Sequence, residues 1–428
     1  FLYRAVVAGP VVAGTQIIAV SARQGPCGGG CMTAQLTTPI QIGGDHLDKA
    51  SGAHVVLLMN FIPPYQLPVL TELAKRVRKL TVLISTPMEP NRSWAAEWGG
   101  LDVQVQRTFS WRRPWRHPTG FTEENYVHVP WDTMSRLRKL SPDVILSAEL
   151  GMRSVFSACY TRFSKKTRLV LMASMSEHTE CGRGRARTLL RKLLLRQCQC
   201  LVVNGQSGSR YVQALGLSPS RIFRCSYVSN TRFFERGTAY RPAETAHRLL
   251  YLGQFVERKG LLPFLGALRD WAEAHRDRRV EFELVGSGPL EGAIANFAMP
   301  ENVHLQIRGA VPFEKLPEAY RNGGILAFPT LADEWGLVVN EAFAAGMPVL
   351  GSRYSQAVED LCVEGVNGWL FRPDVGNEMR QALETALGTS WEQLNTMRRA
   401  AREAVSGVTP EWAADVLCEA VSRALRED

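Results

Sequence analysis

Phe328-Pro329-Thr330-Leu331-Ala332-Asp333-Glu334-Trp335-Gly336-Leu337-Val338-Val339-Asn340-Glu341-Ala342-Phe343-Ala344-Ala345-Gly346-Met347-Pro348-Val349-Leu350-Gly351 reads as strand, loop, helix and strand in one short stretch. The strand ends near Thr330, the loop holds Asp333 and Glu334, and the helix runs from about Gly336 to Ala345. Gly346 stands where a left-handed residue stops a helix, and Pro348 opens the next strand. A parallel pair is the economical arrangement of two strands joined through a helix, because parallel neighbours need a crossover connection and the helix supplies it.

The same alternation extends on both sides. Upstream of the quoted stretch, apolar runs at Leu249–Leu252, Val280–Val285, Val303–Ile307 and Ile325–Phe328 each run into a Gly- or Pro-bearing turn. An earlier series has runs at His54–Met59, Thr81–Ser85, Val144–Leu146, Arg168–Met172 and Leu201–Val203. Leu67, Leu70, Leu73, Val77 and Leu80 follow the first run at helical spacing. The predicted fold is α/β, with two Rossmann-like, doubly wound parallel sheets facing across a cleft. Ser229–Thr245, polar and without period, is the linker. The expected organisation is a poorly ordered extension over 1–52, a first domain over 53–240, a second over 241–407, and a helix over 408–428 packed across both. In that helix Thr409 is the N-cap and Pro410 the first residue.

A length of 428 residues with 45% hydrophobic and 21% charged residues excludes a disordered chain and a single small module. The net charge of +9 conceals an asymmetry. Residues 1–250 hold 33 Lys and Arg against 15 Asp and Glu, whereas 251–428 hold 17 against 26, so the halves are +18 and −9. The basic half calls for an anionic partner. Nine cysteines, odd in number and irregularly spaced, do not form a disulfide framework and point to a reducing, cytoplasmic compartment. Ala5–Val20 is apolar but interrupted by Pro10, Thr15 and Gln16, and reads as part of the extension rather than a leader or a membrane span.

Ligands of doubly wound sheets bind beyond the carboxyl ends of the strands, so the informative residues follow strands. The start of the Gly336–Ala345 helix, at Gly336 and Leu337, offers backbone amides to a phosphate. Glu341 lies about one and a half turns further in, where a carboxylate accepts hydrogen bonds from vicinal hydroxyls such as a ribose presents. Equally, acids near a helix start are simple helix stabilisers. Glu149, past the run at Val144, is a second cleft candidate or a surface acid, and Asn60 is a third.

The stretch resembles the retaining GT-B glycosyltransferases, specifically the large bacterial group 4 family, in having two acids eight positions apart ahead of E-A-x-A-x-G-x-P-V. Here these are Asp333 and Glu341, with Glu341-Ala342-Phe343-Ala344-Ala345-Gly346-Met347-Pro348-Val349 following. The family usually has Glu at the first position, so Asp333 has a shorter reach and Glu334 is an alternative for seating the donor sugar. Leu252-Gly253-Gln254-Phe255-Val256-Glu257-Arg258-Lys259-Gly260 resembles the family's G-R-L…K-G element. The resemblance implies that Lys259 contacts the donor diphosphate, where a cation stabilises the leaving group. Gln254 replaces the family's arginine, and Arg258 is the candidate substitute. Arg308-Gly309-Ala310-Val311 resembles the loop whose backbone reads the nucleotide base. His178, after the run ending near Ser174, matches a histidine beside the donor sugar.

On this resemblance the chain is a hexosyltransferase-type enzyme that moves a sugar, with retention, from a nucleotide-diphosphate sugar to a hydroxyl of a glycan or lipid-linked saccharide. Cell-surface polysaccharide synthesis is the implied setting. No cofactor and no metal are expected, and no D-x-D occurs in the sequence. A nucleotide-sugar epimerase on the same architecture is the rival enzyme. A nucleic-acid-binding protein is the rival that uses the basic half, although no nucleic-acid motif occurs. Gly182–Cys198 reads as a basic amphipathic helix, with Arg187, Arg191 and Lys192 near one face, and Trp111–Arg116 adds aromatic and basic residues. These form either a peripheral contact with an anionic membrane, at the inner face of the plasma membrane, or an ordinary helix with leucines in the core.

Overall fold

A computed structural model describes residues 48–89, 98–235 and 240–426. The first half contains β1 (His54–Met59), β2 (Lys79–Ile84), β3 (Asp102–Val105), β4 (Thr108–Arg116), β5 (Thr122–Pro130), β6 (Val144–Ala148), β7 (Arg168–Ala173), β8 (Cys200–Val203) and β9 (Ile222–Arg224). Seven of them form one parallel sheet in the order β3-β2-β1-β6-β7-β8-β9. All six residues of β1 are buried, as expected for a parallel strand covered by helices on both faces. The second half contains β10 (Leu249–Leu252), β11 (Val280–Val285), β12 (Val303–Arg308), β13 (Ile325–Phe328), β14 (Val349–Ser352) and β15 (Gly368–Phe371). Its sheet, also parallel, has the order β12-β11-β10-β13-β14-β15. Strand order therefore reverses between β1 and β6 in one sheet and between β10 and β13 in the other, and these are the switch points where such sheets bind ligands.

The hairpin β4–β5 lies outside both sheets, with nine residue pairs in antiparallel register. Most of β4 is exposed, so it carries no buried alternation and leaves no strand signal in the sequence.

Two expectations need correction. Residues 1–47 of the expected extension lie outside the described residues, but Asp48–Ser51 forms a short helix, and Ala50 and Ala53 are buried in the core. The final helix, Pro410–Arg426, does not clasp the two halves; it is part of the first half's core. Its small face of Ala413, Ala414, Ala420, Val421 and Ala424 lets it approach the first sheet closely, and Arg76 pairs with Asp415 at 2.7 Å. Its start is as expected, with the Thr409 hydroxyl accepting from the Trp412 amide at 3.2 Å.

The halves meet through polar groups. From the helix Gln356–Leu361, the Gln356 carboxamide donates to the Met175 carbonyl at 2.8 Å and to Asn204 Oδ1 at 2.9 Å, and accepts from the Gly208 amide at 2.8 Å. Asp360 accepts from the Gln206 amide at the start of the helix Gln206–Ala214, and burial pushes its carboxyl up to about 7. Arg210 joins Glu177 and Glu359, each at 2.7 Å.

Within the second half, Arg241 is buried and gathers the carbonyls of Tyr320, Gly323 and Ala345 at 3.1–3.2 Å. Burial lowers its guanidinium to about 10. It thereby satisfies the carboxyl ends of the two helices Leu316–Asn322 and Leu337–Ala344. Arg241→Met leaves those carbonyls without their donor and is expected to cost about 3 kcal/mol, read as a lower urea midpoint with an unchanged m-value.

Candidate active site

The loops after β10 and β13 meet at the switch point of the second sheet. Gly260 has φ +67°, and a Cβ there would sit 2.1 Å from the Pro329 carbonyl oxygen, so only glycine allows this approach. The Arg258 carbonyl accepts from the Leu331 amide at 2.8 Å, and the Arg258 guanidinium donates to the Ala332 carbonyl at 2.9 Å. Against this framework Lys259 Nζ lies 2.5 Å from Asp333 Oδ2, and Arg258 lies 3.6 Å from the same oxygen. Burial raises the Asp333 carboxyl, but Lys259 and Arg258 outweigh it and hold the group below the usual carboxylate range.

The following helix, Leu337–Ala344, starts at Gly336 with φ 106°. Its entry is held by Trp335, whose indole donates to Asn340 Oδ1 at 2.7 Å, and by the Ser355 hydroxyl, which donates to the Trp335 carbonyl. Gly346, with φ 72°, ends it as the sequence predicts. Glu341 is buried, and the Tyr320 hydroxyl donates to its Oε2 at 2.6 Å. Burial pushes Glu341 up to about 7, with the Tyr320 bond acting in the opposite direction. Oε1 remains beyond that bond for a further donor.

Across the cleft, Asn60 follows β1 and Glu149 follows β6, and the Asn60 amide donates to Glu149 Oε1 at 2.7 Å. Arg153, 3% exposed, braces both residues and donates to Ser85 at 2.9 Å. Glu123 reaches over from β5 to Arg258 at 3.0 Å. Glu334 projects into the cleft among these groups. Desolvation by the cleft walls raises its carboxyl to about 8, although its own surface is exposed to the open cleft; Arg258 acts against the rise, and Glu149, Glu123 and Asp333 add to it. The His178 ring stacks on Tyr354 with centroids 3.8 Å apart, and the Tyr354 carbonyl accepts from the Asp333 amide at 3.0 Å. Burial lowers the His178 pKa, so the ring is neutral at pH 7.

Of the residues singled out in the sequence, Lys259, Arg258 and Asp333 form one ion-paired group, with Glu334 beside it and His178 linked through Tyr354. Gly336, Leu337 and Glu341 lie on the adjoining helix, and Gly253 ends β10, its amide donating to the Val285 carbonyl at 3.1 Å. Glu149 is on the facing wall. Gly309 and Ala310 are exposed at the end of β12, the edge strand of the sheet. Tyr320, Glu123, Arg153 and Tyr354 escaped the sequence reading. Each contributes through a partner distant in sequence, and none lies in a motif.

Glu334 holds its proton more tightly in the folded chain than at the ordinary 4.5 of a free side chain, so the folded state loses stability as pH rises from about 4.5 through about 8. Relative to wild type, Glu334→Gln should gain melting temperature between pH 5 and pH 8.5, by a small amount because water screens the exposed side chain. A pH-independent difference contradicts this placement.

Residues 246–389 match the family model described as Glycosyl transferases group 1. Curated relatives include an uncharacterized glycosyltransferase, MJ1178, of Methanocaldococcus jannaschii, 26% identical over 135 residues, which are 31% of this chain and 36% of the relative. The alpha-D-kanosaminyltransferase of Streptomyces kanamyceticus is 26% identical over 183 residues, 40% of this chain and 46% of the relative. The chain thus spans less than half the length of these two relatives. Among solved structures, Anabaena Alr3699/HepE in complex with UDP has a TM-score of 0.64 at 16% identity, covering 86% of this chain and 98% of that one. Sucrose-phosphate synthase from Thermosynechococcus elongatus has a TM-score of 0.58 at 17% identity, covering 85% and 96%. With both sheets parallel and both switch points facing one cleft, the chain has the GT-B fold, and its second half carries the Glycosyl transferases group 1 match.

Proposed function

We propose that this protein is a glycosyltransferase that moves a sugar from a nucleotide-diphosphate donor to a hydroxyl of a glycan or lipid-linked saccharide. The observation that carries this is the Lys259–Arg258–Asp333 group, held at the switch point of the half that matches the group 1 model, with Glu341 on the next helix. The solved HepE structure with UDP, which shares this fold, agrees with a nucleotide donor.

In this reading the diphosphate takes the place of Asp333 as partner of Lys259, and the two cations stabilise the negative charge on the departing nucleoside diphosphate without a metal. Freed from Lys259, Asp333, together with Glu334, holds the hydroxyls of the sugar. Glu341 Oε1 accepts from the ribose while Tyr320 keeps the carboxylate oriented. His178, neutral, offers a hydrogen bond without a competing charge. Retention at the anomeric carbon follows from the family resemblance of the two-acid spacing.

A thermal-shift screen of UDP, GDP, ADP, CMP and their sugars should give at least one stabilising ligand, whereas binding of none of them removes the proposal. With the donor so identified, Lys259→Ala and Glu341→Gln should each lower transfer by about a hundredfold or more while the fold is kept. Donor turnover that needs no acceptor would instead favour an epimerase.

We also propose a cytoplasmic, peripheral place on an anionic membrane surface. Among the described residues no helix is long and apolar enough to cross a membrane. The helix Arg185–Gln197 turns Arg191 inward to Glu180, so that arginine is not on the outer face as the sequence suggested. Instead Leu189 and Leu193, 60% and 45% exposed, share the outer face with Arg185, Lys192 and Arg196. Apolar groups ringed by cations suit an anionic interface. Vesicles containing phosphatidylglycerol should sediment the wild type, and Leu189→Glu with Leu193→Glu should abolish this. Equal sedimentation with neutral phosphatidylcholine contradicts the reading.

A further inference from the structure

The mechanism above makes no use of a cavity of about 160 Å³ in the first half, beneath the carboxyl ends of β1, β6, β7 and β8. Leu57, Leu70, Met172, Val202 and Leu417 form its apolar floor. The rings of Tyr65 and Tyr227, with centroids 5.1 Å apart, stand over that floor, and the Tyr227 hydroxyl donates to Ser174 at 2.5 Å. Gln66, Ser174 and Ser226 add polar lining, and Asn60, Glu149 and Asn204 mark the cavity's rim at the carboxyl ends of the strands. There, Asn60 and Glu149 are joined at 2.7 Å, and the Asn204 amide donates to the Glu334 carbonyl at 2.5 Å. The Tyr227 carbonyl accepts from Asn340 Nδ2 at 3.2 Å, and Asn340 belongs to the same helix as Glu341. The rim is therefore bonded directly to the donor-side loop and helix, while the floor is lined by apolar side chains.

This chemistry suits one kind of guest. A cavity of roughly 150 Å³ with aliphatic walls accepts a benzene-sized molecule. A sugar ring would bring several hydroxyls into the floor, where they would lose their hydrogen bonds to water and find few partners. We propose that the cavity holds the apolar end of the acceptor, a phenyl-sized group, and that the hydroxyl to be glycosylated then lies at the rim beside Glu149 and Asn60, facing the donor. This rests on the glycosyltransferase reading and narrows its acceptor to molecules carrying such an end.

Two measurements test it. The first needs no donor: wild-type protein should bind p-cresol in a ligand-detected NMR titration. Val69→Phe, which fills the cavity from the helix Leu67–Arg76, should weaken that binding about tenfold or more. Leu70→Ala, which enlarges the cavity, should shift preference toward 4-propylphenol and provides the answer if Val69→Phe fails to fold. Unchanged p-cresol binding in a folded Val69→Phe protein, or no binding to wild type, overturns the proposal.

The second measures transfer from the nucleotide sugar that the wild type binds. Phenyl glycosides should show a KM about tenfold or more below that of the matching methyl glycosides, and Val69→Phe should erase the difference by raising the KM of the phenyl glycosides. Transfer with equal KM for both overturns the acceptor assignment alone. Bound p-cresol with no transfer to any acceptor overturns the transferase reading and the acceptor assignment with it.

Discussion

Everything at the candidate site depends on how closely the loop after β10 lies against the loop after β13. Gly260 permits that approach, because any Cβ would enter the Pro329 carbonyl. Once the loops touch, the Arg258 carbonyl and guanidinium are both engaged by the second loop, and Lys259 has little freedom except to meet Asp333. Two cations and one anion are thus collected at a single point of the sheet. Their order follows from backbone contacts, so no long side chain has to find its place by itself.

The join between the halves differs in kind from the interior of each. Among the described residues, four buried apolar clusters supply the cores. The join uses the Gln356 carboxamide, the Asp360 carboxylate and the Arg210 ion pairs. Water can replace such bonds more readily than it can replace packed leucines. The hairpin β4–β5 adds a contact of the same polar kind through Glu123 and Arg258.

The charge asymmetry also acquires a structural account. Several arginines of the basic half are engaged internally, Arg153 with Asn60 and Glu149, Arg191 with Glu180, and Arg76 with Glu72 and Asp415. Net charge counts these equally with Arg185 and Arg196, which are exposed. Meanwhile the cations proposed for the donor, Arg258 and Lys259, belong to the acidic half. A sum over half the chain does not reveal which charges face a ligand.

The family resemblance, not local spacing, joined Lys259 to the 333–341 stretch across 74 residues; the amino-acid sequence by itself determined the alternation of strand and helix, the parallel sheets, the stop at Gly346 and the spacing of the two acids. These are legible because each depends on neighbours within one or two turns or strands: buried runs, a left-handed glycine, a fixed spacing of acids. The tertiary structure alone decided that Tyr320 orients Glu341, that Glu123 crosses to Arg258, that Arg191 turns inward while Leu189 and Leu193 turn outward, and that the last helix belongs to the first core. Each of these joins residues brought together only by the folding of distant segments, or selects one face of a helix according to what packs beneath it. Periodicity marks that a face exists; the neighbour that covers it is set by the whole fold.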